Sequence, residues 1–131
     1  MKLQKLKFPS DKTIDILSKD TECSQYLQQL INETYGEILY NPNSDELVGY
    51  VFVYHSGRNK GFMFNLWISP KYRNHGLGTI LAKDAVIHLN AVDLTVDKNN
   101  YTAIRIYKNL GFEISGDGNT PNEYYMKKRG N

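Results

Sequence analysis

Arg73-Asn74-His75-Gly76-Leu77-Gly78-Thr79 is the segment of this chain best suited to hold an anion. It follows an apolar run, Phe62 to Ile68, and precedes residues with helical spacing, so it reads as a strand-to-helix turn. The first N–H groups of a helix have no intrahelical acceptor, and the helix dipole places partial positive charge among them. Gly76 and Gly78 carry no Cβ, so a phosphate can come close to the backbone. Arg73 adds a permanent cation with a planar fork of donors. The spacing is not that of the P-loop, which needs G-x-x-x-x-G-K-[ST]. Nor is it the dinucleotide fingerprint, which needs glycine where Leu81 stands.

A second pattern lies downstream. Asn100, Ala103, Tyr107 and the step Gly111-Phe112 follow the apolar run Leu94-Thr95-Val96. The segment Ser69 to Gly78 resembles the acetyl-coenzyme A motif of the GNAT superfamily of N-acetyltransferases. The Asn100 to Phe112 pattern resembles that superfamily's other signature, a helix carrying a tyrosine and ending in Gly-Phe. Together they cover about residues 60 to 128, and the N-terminal half matches only loosely.

The resemblance implies a single domain over residues 1–131. The implied fold is α+β, GNAT-like, with a mostly antiparallel sheet and a central parallel strand pair. It implies acetyl-CoA as co-substrate, no metal, and direct attack of a primary amine on the thioester. The loop Arg73, Asn74, His75, Gly76, Leu77, Gly78 and Thr79 is expected to hold the diphosphate. Leu66, Trp67 and Ile68 match the positions whose backbone pairs with the pantetheine arm, and Asn100 matches a coenzyme contact. Tyr107 takes the family position of the acid that protonates the departing thiolate, whose free thiol has a pKa of about 8.5. On spacing alone, Tyr107 would be a core aromatic and Asn100 a helix cap.

An alkylamine has a pKa of about 10.4 and arrives protonated, so a base is wanted. Many members of the superfamily carry a carboxylate on the strand before the phosphate loop; here Met63, Phe64 and Asn65 leave that role vacant. Glu37, Glu123 or a chain of waters are the substitutes. The vacancy keeps an alternative open, a coenzyme A-binding sensor or interaction module without turnover.

The elements that must position these residues follow from pattern. The chain has 131 residues with 40% hydrophobic and 23% charged, which suits one globular core. The sequence predicts a first strand at Lys5–Phe8, no clear element from Asp11 to Leu17, and one helix from Thr21 stopped by Gly36. A meander of three strands follows, near Glu37–Tyr40, Leu47–Tyr54 and Phe62–Ile68, with His55–Gly61 as a loop. The helix after the glycine turn should bury Leu77, Ile80, Leu81, Ala85 and Leu89, with Asp84 and His88 as a pair on or at the rim of that face. Ala91–Val96 is then parallel to the strand before it. The last helix starts near Asn99 or Asn100 and buries Ala103, Ile106, Tyr107 and Leu110. Strands at Phe112–Ile114 and Glu123–Met126 close the chain, with Lys127–Arg129 as a solvated tail.

Net charge is +2, and the basic runs Lys5–Lys7 and Lys127–Arg129 are modest, so a nucleic-acid substrate such as aminoacyl-tRNA is disfavoured. There is no apolar run of membrane-spanning length and no secretory signal, so cytoplasmic residence is expected. Cys23 is the single cysteine, and His55, His75 and His88 lack a zinc spacing. One N-terminal helix makes a short acceptor wall. The expected partner is therefore a small-molecule or peptide amine in an open cleft, or a cleft completed by a second copy of the chain.

Overall fold

In the computed structural model, which describes residues 2–129, the chain runs β1 (Gln4–Phe8), α1 (Asp11–Ser18), a 3-10 turn (Cys23–Tyr26), α2 (Leu27–Glu33), β2 (Thr34–Asn41), β3 (Glu46–Gly57) and β4 (Lys60–Ile68). A second 3-10 turn (Pro70–Tyr72) leads to α3 (Leu77–Val86), β5 (Ala91–Asp97), α4 (Tyr101–Asn109), β6 (Glu113–Asp117) and β7 (Glu123–Arg129). The strands form one sheet in the order β1-β2-β3-β4-β5-β7-β6, antiparallel except at β4–β5. This is the α+β arrangement the sequence implied.

Alternation along the strands divides the apolar side chains between two faces. Phe8, Ile38, Tyr50 and Phe52 pack under α1 and α2 with Leu17, Cys23 and Leu30. Leu39, Val51, Val53 and Met63 pack on the other side with Leu81, Ala82 and Ala85 of α3 and Ile104 and Tyr107 of α4.

Two irregularities of β4 shape its far end. Tyr50 pairs with Trp67 but Phe52 with Phe64, so β4 carries one residue more than β3 across that interval. Asn65 is the bulged position, with φ of 55°. The extra residue puts Phe64 and Trp67 on the α1–α2 face and leaves Leu66 and Ile68 on the α3 face. The second irregularity is the loss of a neighbour. β4 and β5 pair only through Lys60, Gly61 and Phe62 against Ala91, Val92 and Asp93. Beyond that point β5 pairs with β7 alone, and β4 with β3 alone.

Several expectations need correction. The Asp11–Ser18 segment is a helix. Ser10 Oγ accepts the Thr13 N–H at 3.1 Å and Thr13 Oγ1 accepts the Ser10 N–H at 2.9 Å, a reciprocal cap that uses threonine where glutamate is usual. The acceptor wall is therefore two short helices and a 3-10 turn. Gly36 does not stop a helix but lies inside β2, where a Cβ would fall 2.1 Å from the Val51 carbonyl oxygen. The β3–β4 connection is a two-residue turn, Arg58-Asn59, with Asn59 at φ 55°. Ile80 is 44% exposed, while Ala82 and Val86 take the buried face of α3, and on α4 it is Ile104 that is buried beside Tyr107. Lys127–Arg129 is no tail: it pairs with Ala91–Asp93, and Arg129 reaches the Asp93 carboxylate at 2.9 Å.

The Ser10 cap is expected to hold α1 in place. Ser10→Ala should cost about 1 kcal/mol, read as a lower midpoint in urea denaturation.

Candidate active site

The turn from β4 to α3 is built around residues with positive φ. Asn74 has φ 67° and Gly76 φ 75°, and Gly76 is the N-cap of α3 without a side-chain cap. A Cβ on Gly76 would meet nothing within 4 Å, so glycine is there for its conformation and not for space. The first helical bond of α3 is Ile80 N–H to Gly76 C=O at 3.2 Å. The N–H groups of Leu77, Gly78 and Thr79 therefore find no acceptor among the described residues, and they form the cradle that an anion would fill.

Gly78 has a different task. It is buried, and a Cβ there would touch Ile106 Cδ1 at 3.4 Å, with Ile68 and Leu66 close behind. A lone Cβ would make ordinary contact there, and it is a longer side chain that would crowd α4 and the end of β4. The Arg73 side chain is partly engaged: its Nε donates to the Ile68 carbonyl at 2.8 Å and ties the loop to the end of β4. Asn74 and His75 are exposed. Asn100 is spent in part as a cap, its carboxamide oxygen accepting the Ala103 N–H at 3.2 Å.

Leu66, Trp67 and Ile68 occupy the stretch of β4 that has parted from β5, so its edge on that side has no strand partner. Tyr107 is 7% exposed, in the same core cluster as Leu66 and Ile68, and its ring lies 5.7 Å from that of Phe112. Burial pushes its phenol up to about 12. Leu66 and Ile68 of the free edge and Leu77 of the loop pack against the core cluster that contains Tyr107.

On the α1–α2 side of β4 lies a cleft of about 760 Å³. Its floor is aromatic: Tyr50 stacks on Trp67 and Tyr54 on Phe64. Asp20 and Glu22, from the segment between α1 and the 3-10 turn, stand at its wall. Asp20 Oδ2 accepts the Cys23 N–H at 2.9 Å. Sequence reasoning missed both carboxylates because the segment reads as the start of a helix near Thr21. Cys23 is buried in the same cleft, and burial, reinforced by Asp20, pushes its thiol up to about 12, which removes it as a nucleophile at neutral pH.

The two glutamates suggested as bases lie elsewhere. Glu37 is on the α3 face of the sheet, in a separate cavity of about 290 Å³ with Asp84, His55 and His88. Its Oε2 is buried without a partner, and burial raises its pKa. Glu123 accepts the Asn119 N–H at 3.2 Å in the β6–β7 loop. Asp84 and His88 do not form a pair: Asp84 binds Lys5, and His88 Nε2 lies 3.3 Å from the Tyr35 hydroxyl.

The Acetyltransferase (GNAT) family matches residues 6–112, and the chain belongs to that family. It is 43% identical over 60 residues to spermidine N(1)-acetyltransferase of Escherichia coli K12, a match covering 41% of this chain and 32% of that protein. It therefore spans about a third of that relative's length. It is 29% identical over 108 residues to the peptidyl-lysine N-acetyltransferase YjaB of the same organism, covering 81% of this chain and 69% of that protein. A PaiA N-acetyltransferase of Thermoplasma acidophilum, solved in complex with coenzyme A, shares the fold with a TM-score of 0.75 at 15% identity, over 98% of this chain and 99% of that one. Among the described residues no group of His, Cys, Asp and Glu is placed to hold a metal, and no helix is long and apolar enough to cross a membrane.

The buried phenol carries a stability signature. A free tyrosine titrates near pH 10. Above that pH the unfolded chain gives up the proton that Tyr107 keeps until about 12 in the fold. The folded state should then lose stability across the window from about pH 10 to about 12, and none below it. Urea denaturation followed through that range checks this. Tyr107→Phe should lessen the loss without abolishing it, because burial also raises Tyr35 to about 12.

Proposed function

We propose that the chain transfers the acetyl group of acetyl-CoA to a primary amine within a ternary complex. The observation that carries the reading is the free edge of β4 at Leu66–Ile68, which runs into the α3 turn and packs against the cluster containing Tyr107. The residues present fit the coenzyme: three N–H groups without acceptors face a diphosphate position, and the parted strand leaves backbone groups in need of a partner.

When bound, acetyl-CoA supplies a thioester whose C–S bond breaks as the new C–N bond forms, one proton leaving the amine and one reaching sulfur. The chain's own groups divide the remaining work. The N–H groups of Leu77, Gly78 and Thr79 bind and orient. An N–H in Leu66–Ile68 can act as an oxyanion donor. Tyr107 Oη keeps its proton throughout the neutral range and can donate it along its hydrogen bond to the nascent thiolate; because the phenolate is the stronger base, the proton the amine gives up must return to Oη for the step to complete. The amine enters from the aromatic cleft on the α1–α2 side. Its deprotonation has no carboxylate on β4 to serve it, which leaves the role to a chain of waters.

The relatives point to amines of different size, a polyamine in one case and a peptide lysine in the other. The cleft volume falls in the range of small-molecule sites, which supports a small acceptor. Cytoplasmic residence, where acetyl-CoA and a reduced Cys23 coexist, belongs to the same reading. A homodimer belongs to it too, and light scattering would check that.

The reading is tested by following release of free thiol from acetyl-CoA with a panel of amines. Tyr107→Phe is expected to lower kcat about 100-fold or more while the coenzyme dissociation constant changes less than about twofold. Unchanged turnover would remove Tyr107 from the mechanism. Tight coenzyme binding with no amine acetylated would instead mark a sensor or interaction module, the reading that Asn65 in place of a carboxylate favours. Gly78→Leu is expected to abolish coenzyme binding. Unlike a pure ligand-contact change, it should also cost about 1–3 kcal/mol of stability, because the new side chain must displace Ile106.

A further inference from the structure

Charge in the acceptor cleft runs against the charge of the chain. The whole sequence has 16 Lys and Arg against 14 Asp and Glu. Among the described residues lining the cleft, the ionisable groups that can carry charge near neutrality are Asp20 and Glu22, with no lysine, arginine or histidine. Their field reaches the floor: besides burial, both carboxylates hold up the proton affinity of the Cys23 thiol and the Tyr50 phenol. The floor itself presents the half-buried rings of Tyr54, Phe64 and Trp67, whose faces attract cations and cover alkyl chain.

The amine that is acetylated must be neutral at the moment of attack, so it gains little from a lasting negative charge beside it. A carboxylate pair helps a substrate that keeps a second positive charge after the first amine has lost its proton. The same pair repels an amine that carries its own carboxylate, such as a free amino acid, for which the cleft offers no cation. We infer that the acceptor is a small linear di- or polyamine without a carboxylate, its distal ammonium held by Asp20 and Glu22 over the aromatic floor. This assignment rests on the acetyltransferase reading for which amine is modified, but the binding preference stands on the cleft alone.

The test is calorimetry with two probes matched in length, 1,4-diaminobutane and 4-aminobutanoate, titrated into the protein with and without saturating coenzyme A. The diamine is expected to bind at least about tenfold more tightly than the amino acid. Asp20→Asn combined with Glu22→Gln should weaken diamine binding about fivefold to tenfold and leave coenzyme affinity unchanged. Asparagine retains an acceptor for the Cys23 N–H, and Glu22 is exposed, so the double variant is expected to fold. Equal affinity for the two probes, no measurable diamine binding, or diamine binding indifferent to the double variant each overturn the assignment. Selective diamine binding without acetyl transfer supports it and overturns the catalytic reading instead.

Discussion

The structure depends on a backbone interaction that ends early. β4 and β5 lie side by side for three residues and then separate. A strand deprived of a neighbour leaves N–H and C=O groups that require other partners. β5 meets the requirement with β7, along its whole length. β4 has no strand to meet it among the described residues: at Ile68 the carbonyl accepts from Arg73 Nε instead, and the residues concerned adjoin the α3 turn. The bulge at Asn65 falls in the same interval and turns Trp67 toward one substrate side and Leu66 and Ile68 toward the other. One departure from regular pairing thus creates the gap, and a second assigns its walls.

The two sides of β4 differ in charge as well as in shape. The α3 side offers N–H groups at a helix start without acceptors among the described residues, with Arg73 anchored by its Nε to the Ile68 carbonyl and His75 exposed nearby. The α1–α2 side offers two carboxylates over stacked aromatic rings. An anionic cofactor and a cationic amine would therefore approach opposite faces of one strand, each attracted by the group that repels the other. This separation limits binding in the wrong place without any moving part.

How much of this was legible in the sequence depended on how locally each signal was encoded. The α3 turn was legible because conformation and chemistry coincide in a few consecutive residues, Asn74 and Gly76 to Thr79. The parallel pair and the meander were legible from apolar runs and connection types. Helix α1 was not, since eight residues with Ile14, Ile16 and Leu17 carry little periodicity and the Ser10–Thr13 cap lacks the usual glutamate. Gly36 misled because a glycine required by close packing against Val51 looks, in sequence, like a helix stop. The acceptor carboxylates were hidden for a related reason. Asp20 and Glu22 become a site only when the segment between the first two helices is laid over Tyr50, Phe64 and Trp67, a juxtaposition made by the fold and by no motif. Glu37 and Glu123, the carboxylates offered as substitute bases, are not among the residues lining that cleft: Glu37 lines the cavity beside α3, and Glu123 accepts the Asn119 N–H.

The place of β7 has a consequence for how the molecule is made. β7 lies between β5 and β6 although it follows both in the chain. Until it arrives, β5 has only its brief contact with β4, so one wall of the coenzyme gap is a strand without a sheet. During synthesis the glycine turn and α3 emerge well before that wall can be secured. Since β6 pairs with β7 alone, the two strands would join as one hairpin, and the wall made by β5 would be fixed only when that hairpin docks along it.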